Sequence, residues 1–359
     1  MIYKLIKVIL TLFLTTMMLG AHAASFNCNP SNLKRDIERF ICNNKTISEL
    51  DAVMGNRFDA AYQQLSPIHK VDYLKSQKQW LGFWPKSCNP EPATKITFDK
   101  NFTDCAEEAY KTRIHELEIQ EIKDAWRVFK LTLHTTTIPT DETVKKQYSK
   151  VLIHDANYPL IEIGLSDDDQ LKEKLINKWI ADSFKKTNAK AHTNFDELDM
   201  SSSLSTWLSS PSNDLLSLEL SYKFESYQAH PGWYSRSLHY SIALRRGISA
   251  KDLLKGEWKK FISRKVLQPL NDAYGDPFVT TAQKLEPLIS NIDNWTFYKE
   301  GIAITFNRYE VAPYSAGNPI VLLPWKKIYP YLTDYAKTQI DSMSNEETIY
   351  DEENHFTIK

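Results

Sequence analysis

The four cysteines of this chain lie close together near its start, and their clustering constrains the fold more than any other feature. Cys28, Cys42, Cys88 and Cys105 are the only cysteines among 359 residues. They follow a hydrophobic leader, and an even, clustered cysteine count behind an export signal is typical of a disulfide framework in an oxidising compartment. The sequence therefore predicts a small stapled module, followed by a cysteine-free segment over residues 106–359.

Residues 1–23 have the features of a secretory signal peptide. Two lysines precede an apolar run over residues 8–19, and the segment ends in the small-x-small triplet Ala21-His22-Ala23. This run is shorter than the roughly 18–20 apolar residues of a membrane helix, and no later stretch of the sequence approaches that length. We therefore expect a mature protein in the periplasm or outside the bacterial cell, with no stable membrane span after cleavage.

Charge and composition bound the possible partners. Loss of the leader's two lysines from 44 basic residues leaves 42 against 45 acidic ones, a formal charge of −3. Nucleic-acid binding needs a basic surface, so we expect no nucleic-acid partner. A hydrophobic fraction of 42% is ample for packed cores. Residues 339–359 concentrate acidic side chains and are predicted to form an acidic tail.

Helical spacing of apolar residues dominates residues 24–125 and predicts three or four helices. The pattern from Thr46 to Glu49 is that of a capping box, and Ser66-Pro67 indicates the start of a further helix that ends before Pro85. A bundle of this size has a modest core, so two disulfides of ~2–4 kcal/mol each matter to it. We expect pairing between neighbouring cysteines, although four cysteines allow three connectivities.

Residues 126–338 show a different period. Alternation of apolar and polar residues over 127–133, 216–224 and 237–244 predicts half-buried strands, and residues 297–304 read as a hairpin. Helical patterns alternate with these strands, in the segments that begin at Ser166, at Trp258 and at Pro324. The fold class expected is therefore α+β: a small disulfide-stapled helical bundle followed by an antiparallel sheet with helices on one face.

The first module resembles a known family. Its cysteine spacing, the segment Gln79-Trp80-Leu81 and the ending Tyr110-Lys111-Thr112-Arg113-Ile114-His115-Glu116-Leu117 are similar to the N-terminal domain of the LprI-type lysozyme inhibitors, over residues 25–118. The segment Phe83-Trp84-Pro85-Lys86 departs from the charged stretch that this family more often has there. The resemblance implies a lysozyme-binding domain.

The second module resembles another family over residues 130–336. The segments 225–231, 244–247 and 252–254, and above all 309–317, are similar to the extracellular domain of RsiV-like anti-sigma factors. In that family the domain is a binding module, and in its anti-sigma members it senses lysozyme. The membrane helix and cytoplasmic segment of those regulators have no counterpart here, so the resemblance implies a binding surface rather than a sigma-factor role.

The candidate partner-binding residues lie in two predicted turns. Tyr309, Pro313, Tyr314 and Gly317 belong to one, and His230 to the other. Proline fixes a backbone angle and glycine supplies a positive one, so either turn is also explained by structure alone. Presentation of Tyr314 to a partner is the functional alternative, because exposed tyrosines are good contact anchors.

Catalytic and metal-binding motifs are missing from the sequence. It contains no nucleophile elbow, phosphate-binding loop, dinucleotide fingerprint or histidine spacing of a zinc site. We therefore expect no enzyme, no cofactor and no metal, although 45 acidic residues leave a carboxylate pair open.

Our leading hypothesis is an exported envelope protein that binds, and inhibits by non-covalent occlusion, a lysozyme-type muramidase. A peptidoglycan- or glycan-binding accessory module and an unrecognised envelope hydrolase are the alternatives.

Overall fold

The structure is a computed structural model that describes residues 24–89, 96–122, 126–147, 151–164, 166–195, 200–226, 231–275, 281–343 and 357–358. The predicted signal peptide and most of the predicted acidic tail lie outside these residues. The described chain divides into two compact units. The first comprises residues 24–65 and Trp84–Glu118, and the second comprises Ser66–Phe83 and the residues from Ile119 onward.

Helices and strands are both abundant in the described residues, which confirms the mixed α+β class. The helices are α1 (Asp36–Asn43), α2 (Lys45–Gln64), α3 (Pro67–Ser87), α4 (Lys100–Glu116), α5 (Glu142–Gln147), α6 (Asp167–Phe195), α7 (Ala250–Leu253), α8 (Trp258–Tyr274), α9 (Ala282–Ser290), α10 (Trp325–Ile328) and α11 (Asp334–Asp341). The strands are β1 (Gln120–Ile122), β2 (Trp126–Thr137), β3 (Leu152–Glu162), β4 (Met200–Ser209), β5 (Leu215–Ser226), β6 (Gly232–Ser241), β7 (Arg246–Gly247), β8 (Trp295–Phe297), β9 (Gly301–Thr305), β10 (Ile320–Pro324) and β11 (Thr357–Ile358).

The first unit is helical and carries both disulfides. Cys28 pairs with Cys42 at the end of α1, and Cys88 pairs with Cys105 in α4. Both bonds thus join residues that are neighbours among the cysteines, which is the expected pairing. The first bond ties an irregular segment to α1, and the second ties the C-terminal end of α3 to α4. Closing a loop in this way stabilises a fold chiefly by restricting the unfolded chain.

Two helix boundaries in the first unit differ from the sequence prediction. Helix α2 begins at Lys45, because the Asn44 side chain accepts a hydrogen bond from Ile47 N at 3.1 Å and caps the helix two residues before Thr46. Helix α3 continues past Pro85 instead of ending before it. The missing proline N–H falls in the last turn, and the helical pattern resumes with Cys88 N donating to Trp84 O at 3.1 Å.

A buried polar pair lies inside the first unit. The Tyr110 hydroxyl donates to Asp51 Oδ1 at 2.9 Å, and Ser25 N donates to Asp51 Oδ2 at 2.7 Å. Trp84 packs on Tyr110 with ring centroids 5.3 Å apart. Burial raises the pKa of Tyr110, so its hydroxyl remains a donor at neutral pH. The Asp51 carboxylate is therefore buried with both oxygens hydrogen-bonded.

The second unit contains a seven-stranded sheet in the simple order β1 to β7. Neighbouring strands are antiparallel except β3 and β4, which pair in parallel through residues such as His154 and Ser202. A parallel pair needs a crossover connection, and α6 supplies it. The predicted antiparallel sheet thus contains one parallel pair, and neither β3 nor β4 is recognised from the sequence.

Helix α6 packs on one face of this sheet. Ile176, Ile180 and Phe184 of the helix join the same hydrophobic cluster as Leu218 and Leu220 of β5. Alternate side chains of a strand point to opposite faces, so the even-numbered residues of β5 face α6 and the odd-numbered ones face away. The odd-numbered side chains of β5 therefore belong to the face of the sheet opposite α6.

A second sheet has the order β11-β10-β9-β8 and packs with α8 to α11 in a separate hydrophobic cluster. The predicted hairpin of residues 297–304 is confirmed, since β8 and β9 pair and Tyr298 N donates to Gly301 O at 2.9 Å. His239 of β6 donates from Nε2 to Trp295 O of β8 at 2.9 Å, and therefore joins the two sheets.

Helix α3 lies along the open edge of β2. The Ser76 hydroxyl donates to Thr132 O at 2.8 Å and accepts from Thr132 N at 3.1 Å. Beyond Val128, the last residue that pairs with β1, this edge of β2 has no strand partner in the described chain. One side chain therefore satisfies both backbone groups of Thr132 at the edge.

None of the helices in the described part of the chain combines the length and apolar character that a membrane span requires.

Candidate binding site

Residues 306–319, here called the tyrosine loop, join β9 to β10 and hold four of the five predicted site residues. Phe306 N donates to Pro319 O at 2.9 Å and closes the base of the loop. The Asn307 side chain accepts from Ser235 N at 2.8 Å, which attaches the loop to the edge of β6. The loop is therefore fixed to both sheets of the second unit.

Tyr309 has an unusual backbone conformation. Its φ is 66°, in the left-handed region that residues other than glycine rarely occupy, and its side chain is 71% exposed. Hydrogen bonds on either side hold this turn, with Glu310 N donating to Asn307 O at 3.1 Å and Asn307 N donating to Glu310 Oε2 at 2.7 Å. A strained backbone that displays a large aromatic ring is typical of a functional position.

Tyr314 is held by neighbours on two sides. Its hydroxyl donates to Pro231 O at 2.7 Å and accepts from Arg308 Nη1 at 2.5 Å. The Arg308 guanidinium carbon also lies 4.3 Å from the ring centroid, which is cation–π geometry. The Tyr309 ring is 5.6 Å away, centroid to centroid. The two tyrosines and Arg308 therefore form one cluster.

A short 3₁₀ turn over Tyr314–Ala316 follows Pro313. Ala316 N donates to Pro313 O at 2.9 Å, and Gly317 has a φ of 67°. The structural role expected for Pro313 and Gly317 is thus observed, because proline suits the start of the turn and glycine suits the positive φ that ends it.

The interior of the loop contains polar groups that no protein atom satisfies. Asn318 is 1% exposed, and neither its Oδ1 nor its Nδ2 has a hydrogen-bond partner in the structure. The Nε of Arg308 is likewise buried without a partner. Burial raises the pKa of Glu310 above its usual value, although hydrogen bonds from Asn307 oppose the shift.

The structure thus places Tyr309, Pro313, Tyr314 and Gly317 in one loop, whereas His230 lies outside the described residues. Sequence reasoning missed Arg308. Its position next to Tyr309 and six residues before Tyr314 is visible in the sequence, but only the fold brings its guanidinium over the Tyr314 ring.

A second polar cluster lies at the start of α3. His69 Nδ1 is 2.7 Å from Glu162 Oε1 and 3.9 Å from Glu173 Oε1, and one ligand-type atom of each residue lies within 4.8 Å of the others. Glu162 Oε1 also accepts from Ser66 N at 2.8 Å and from Ser66 Oγ at 2.9 Å. Three donors thus occupy this oxygen at the positive end of a long helix, which accounts for the cluster as a helix cap.

The same cluster lacks the geometry of a catalytic triad. Ser66 Oγ contacts His69 Nδ1 at 3.1 Å, and this is the nitrogen that also faces Glu162. A triad needs the hydroxyl and the carboxylate on opposite ring nitrogens. Burial raises the pKa of Glu162, but the hydrogen bonds from His69 and Ser66 outweigh burial and leave that pKa below its usual value. Burial raises the pKa of Glu173.

Comparison with known families identifies one segment of the chain. Residues 251–326 match the sequence model of a family described as a protein of unknown function, DUF3298. The matched segment begins in α7 and extends through β10, so it includes the whole tyrosine loop. No curated protein matches the chain.

Two solved structures of this family are similar to the chain. A DUF3298 family member from Bacteroides fragilis is 15% identical, with a TM-score of 0.40, and the match covers 60% of this chain and 97% of that one. A DUF3298 family protein from Pseudomonas aeruginosa PAO1 is 14% identical, with a TM-score of 0.36, and the match covers 58% of this chain and 95% of that one.

Proposed function

We propose that this protein is an exported bacterial envelope protein that binds a lysozyme-type muramidase and inhibits it without covalent chemistry. The single observation that carries the proposal is the tyrosine loop, in which Tyr309 is 71% exposed on a backbone of positive φ. A rigid, exposed aromatic ring gives contact area at a low cost in conformational entropy, which is the property of an interface anchor.

The attachment of the loop supports inhibition by occlusion. The Tyr314 hydroxyl donates a hydrogen bond to Pro231 O, and Asn307 Oδ1 accepts one from Ser235 N on the edge of β6. An inserted loop that is already ordered loses little further freedom on binding, so more of the contact energy remains as affinity. The loop would block a substrate cleft by filling it.

Two disulfides are typical of proteins in oxidising compartments, and this supports export. The proposal includes export of the protein to the periplasm or to the outside of the cell. A charge of −3 after signal cleavage is compatible with encounter with a basic enzyme, and any such steering weakens as salt screens it. The lysozyme-inhibitor resemblance of residues 25–118 leaves the first unit as a second contact region within the same proposal.

The test uses the full mature chain and a c-type lysozyme. Calorimetric titration measures complex formation, and the turnover of cell walls measures inhibition. We expect binding in the micromolar range or tighter, and a loss of roughly tenfold or more in affinity for Tyr309→Ala. Tyr329→Ala is the matched control, because Tyr329 is 54% exposed and lies outside the loop.

Absence of a complex at micromolar concentrations, together with full lysozyme activity, would overturn the proposal. If lysozyme binds equally well to Tyr309→Ala and to the unaltered protein, the tyrosine loop is not the contact and the first unit becomes the site to test. Wall cleavage by the protein alone would instead make it a hydrolase.

A further inference from the structure

The face of the first sheet opposite α6 has a composition unlike the rest of the second unit. Leu204, Leu218 and Leu220 belong to the cluster on the α6 side, so the intervening residues of β4 and β5 point the other way. With the matching residues of β6 they form a surface here called the serine face, whose members include Ser203, Ser205, Ser221, Ser235, Trp207 and Trp233.

The two tryptophans lie at opposite ends of a diagonal on this face. Trp207 of β4 pairs with Glu219 of β5, and Trp233 of β6 pairs with Lys223 of β5. Ser221 lies between those two positions of β5, at the centre of the diagonal. Ideal strand spacing puts the Cα atoms of Trp207 and Trp233 roughly 17 Å apart. An extended ligand of several rings matches this distance better than a single ring.

Both indoles are held in place. Trp207 is 43% exposed, and Lys130 Nζ lies 5.6 Å from its ring centroid. Trp233 is half-buried, its Nε1 donates to Ser221 Oγ at 2.5 Å, and Lys223 Nζ lies 5.6 Å from its ring centroid. The diagonal is therefore preorganised, with the Trp207 indole partly exposed to solvent and the Trp233 indole anchored through its N–H.

Glu219 lies beside this diagonal, at the position of β5 that pairs with Trp207 of β4. Its Oε1 is inaccessible to solvent and has no hydrogen-bond partner in the structure. Burial alone raises the pKa of Glu219 to about 7, and no other group assists or opposes the shift. A buried acceptor without a donor is costly, so a rotation of the Glu219 side chain that brings Oε1 to a ligand O–H or N–H group would remove that cost.

The serine face is closed beyond Glu219. In the next row Ser217 Oγ contacts His239 Nδ1 at 2.9 Å, and His239 is 3% exposed under β8. Ser205 and Lys223 on the other side are exposed. The accessible part of the serine face is therefore a strip of surface that runs from the covered end at Glu219 toward the open end at Trp233.

We infer that the serine face binds an extended glycan chain, with sugar rings stacked on Trp207 and Trp233 and a hydroxyl or amide N–H group donated to Glu219. A pyranose ring has one apolar C–H face and a rim of hydroxyls, and the indole faces and serine hydroxyls complement these two parts. Glycan binding here is a second activity, separate from the lysozyme binding proposed for the tyrosine loop.

The alternation of hydroxyls and indoles favours a glycan over a protein partner. Interface centres in protein complexes are enriched in large apolar and aromatic side chains and depleted in serine, whereas serine occupies the middle row of this face through Ser205, Ser221 and Ser235. Each hydroxyl both donates and accepts, which matches the mixed donors and acceptors of a sugar rim.

The experiment is calorimetric titration of the full mature chain with two probes, the hexasaccharide of N-acetylglucosamine and cellohexaose. We expect at least one of them to bind with a dissociation constant of about 1 mM or tighter. Trp207→Ala weakens binding roughly tenfold or more, and Glu219→Gln, which keeps the shape but replaces one carboxyl oxygen by an amide NH₂ group, weakens it severalfold. Tyr329→Ala and Tyr309→Ala leave the titration unchanged.

Circular dichroism of the Trp207→Ala variant confirms its fold, since Trp207 is partly exposed and its removal leaves no internal cavity. The inference is overturned if neither hexasaccharide binds at millimolar concentrations, or if both bind Trp207→Ala as tightly as the unaltered chain. Loss of lysozyme binding in Trp207→Ala, without any glycan binding, would make the face a protein contact and would also overturn it. Unchanged glycan titration in Tyr309→Ala keeps this result independent of the tyrosine loop.

Discussion

The Tyr314 hydroxyl donates a hydrogen bond to the carbonyl oxygen of Pro231 at 2.7 Å, although 83 positions separate the two residues in sequence. This bond connects the tyrosine loop to the segment that leads into β6. Tyr314→Phe keeps the ring under Arg308 and removes only the hydroxyl. We expect the free energy of unfolding to fall by about 1 kcal/mol and lysozyme binding to weaken, because the loop loses one of its anchors. Urea denaturation and calorimetry measure the two effects, with Tyr329→Phe as the control; equal affinity for both variants would argue against anchoring.

At Tyr309, a single substitution should raise stability and weaken binding. Replacing a residue of positive φ by glycine relieves backbone strain, so Tyr309→Gly should raise the free energy of unfolding by about 1 kcal/mol. The same change removes the exposed ring and should weaken lysozyme binding roughly tenfold. Arg245 has a φ of 53°, and Arg245→Gly therefore serves as a matched control that relieves strain without affecting binding. A variant Tyr309→Gly that is less stable than the unaltered protein would contradict the strain assignment.

In the first unit, the test concerns Tyr110 and Asp51. Tyr110→Phe leaves Asp51 Oδ1 buried without its donor, and we expect a loss of about 1–3 kcal/mol in stability. Removing both partners in Tyr110→Phe with Asp51→Ala should cost less than the sum of the single changes, because neither group is then left unpaired. Hydrogen exchange of amides in α2 and α4 reports this locally, and strictly additive losses would show that the pair is not coupled.

Glu219 predicts a specific dependence of stability on pH. Its folded pKa of about 7 lies above the ordinary 4.5, so the folded state retains a proton that the unfolded state releases. Stability contributed by this group is complete below pH 4.5 and declines as pH rises toward 7. Glu219→Gln should therefore match the unaltered protein at pH 4 and exceed it at pH 8, by at most about 3 kcal/mol.

His239 has the opposite effect on the pH dependence of stability. Burial lowers its pKa to about 4, so its contribution to stability increases as pH rises from 4 to 6.5. The unaltered protein and Glu219→Gln both carry His239. The measurement is therefore the difference between their denaturation midpoints across pH, in which the effect of His239 cancels. A difference that stays constant from pH 4 to pH 8 would show that Glu219 titrates normally.

Much of this architecture follows from local patterns in the sequence. Helix α8 occupies Trp258–Tyr274 as its apolar spacing predicts, and the hairpin at Gly301 follows from a glycine between two apolar alternations. Strand β4 escapes prediction because serine occupies half of its ten positions, which hides the buried alternation of Leu204, Thr206 and Leu208. In β3, Pro159 and the charged Asp155 obscure the strand in the same way.

The two candidate sites could likewise be predicted from the sequence only in part. Tyr309 and Tyr314 can be selected from sequence because they share one short turn, whereas the Arg308 stack requires the fold. The diagonal of Trp207, Ser221 and Trp233 depends on strand register, and register is fixed by pairing between residues far apart in sequence. No local pattern carries that information.

The Ser76 hydroxyl, which bonds both backbone groups of Thr132, has a consequence for association between copies of the chain. An open strand edge is a template on which another chain can add a strand, and such growth leads to polymers. With Ser76 in place, a neighbouring molecule finds neither a donor nor an acceptor free at Thr132. A single hydroxyl thereby helps to keep a protein with a wide sheet from joining its own copies edge to edge.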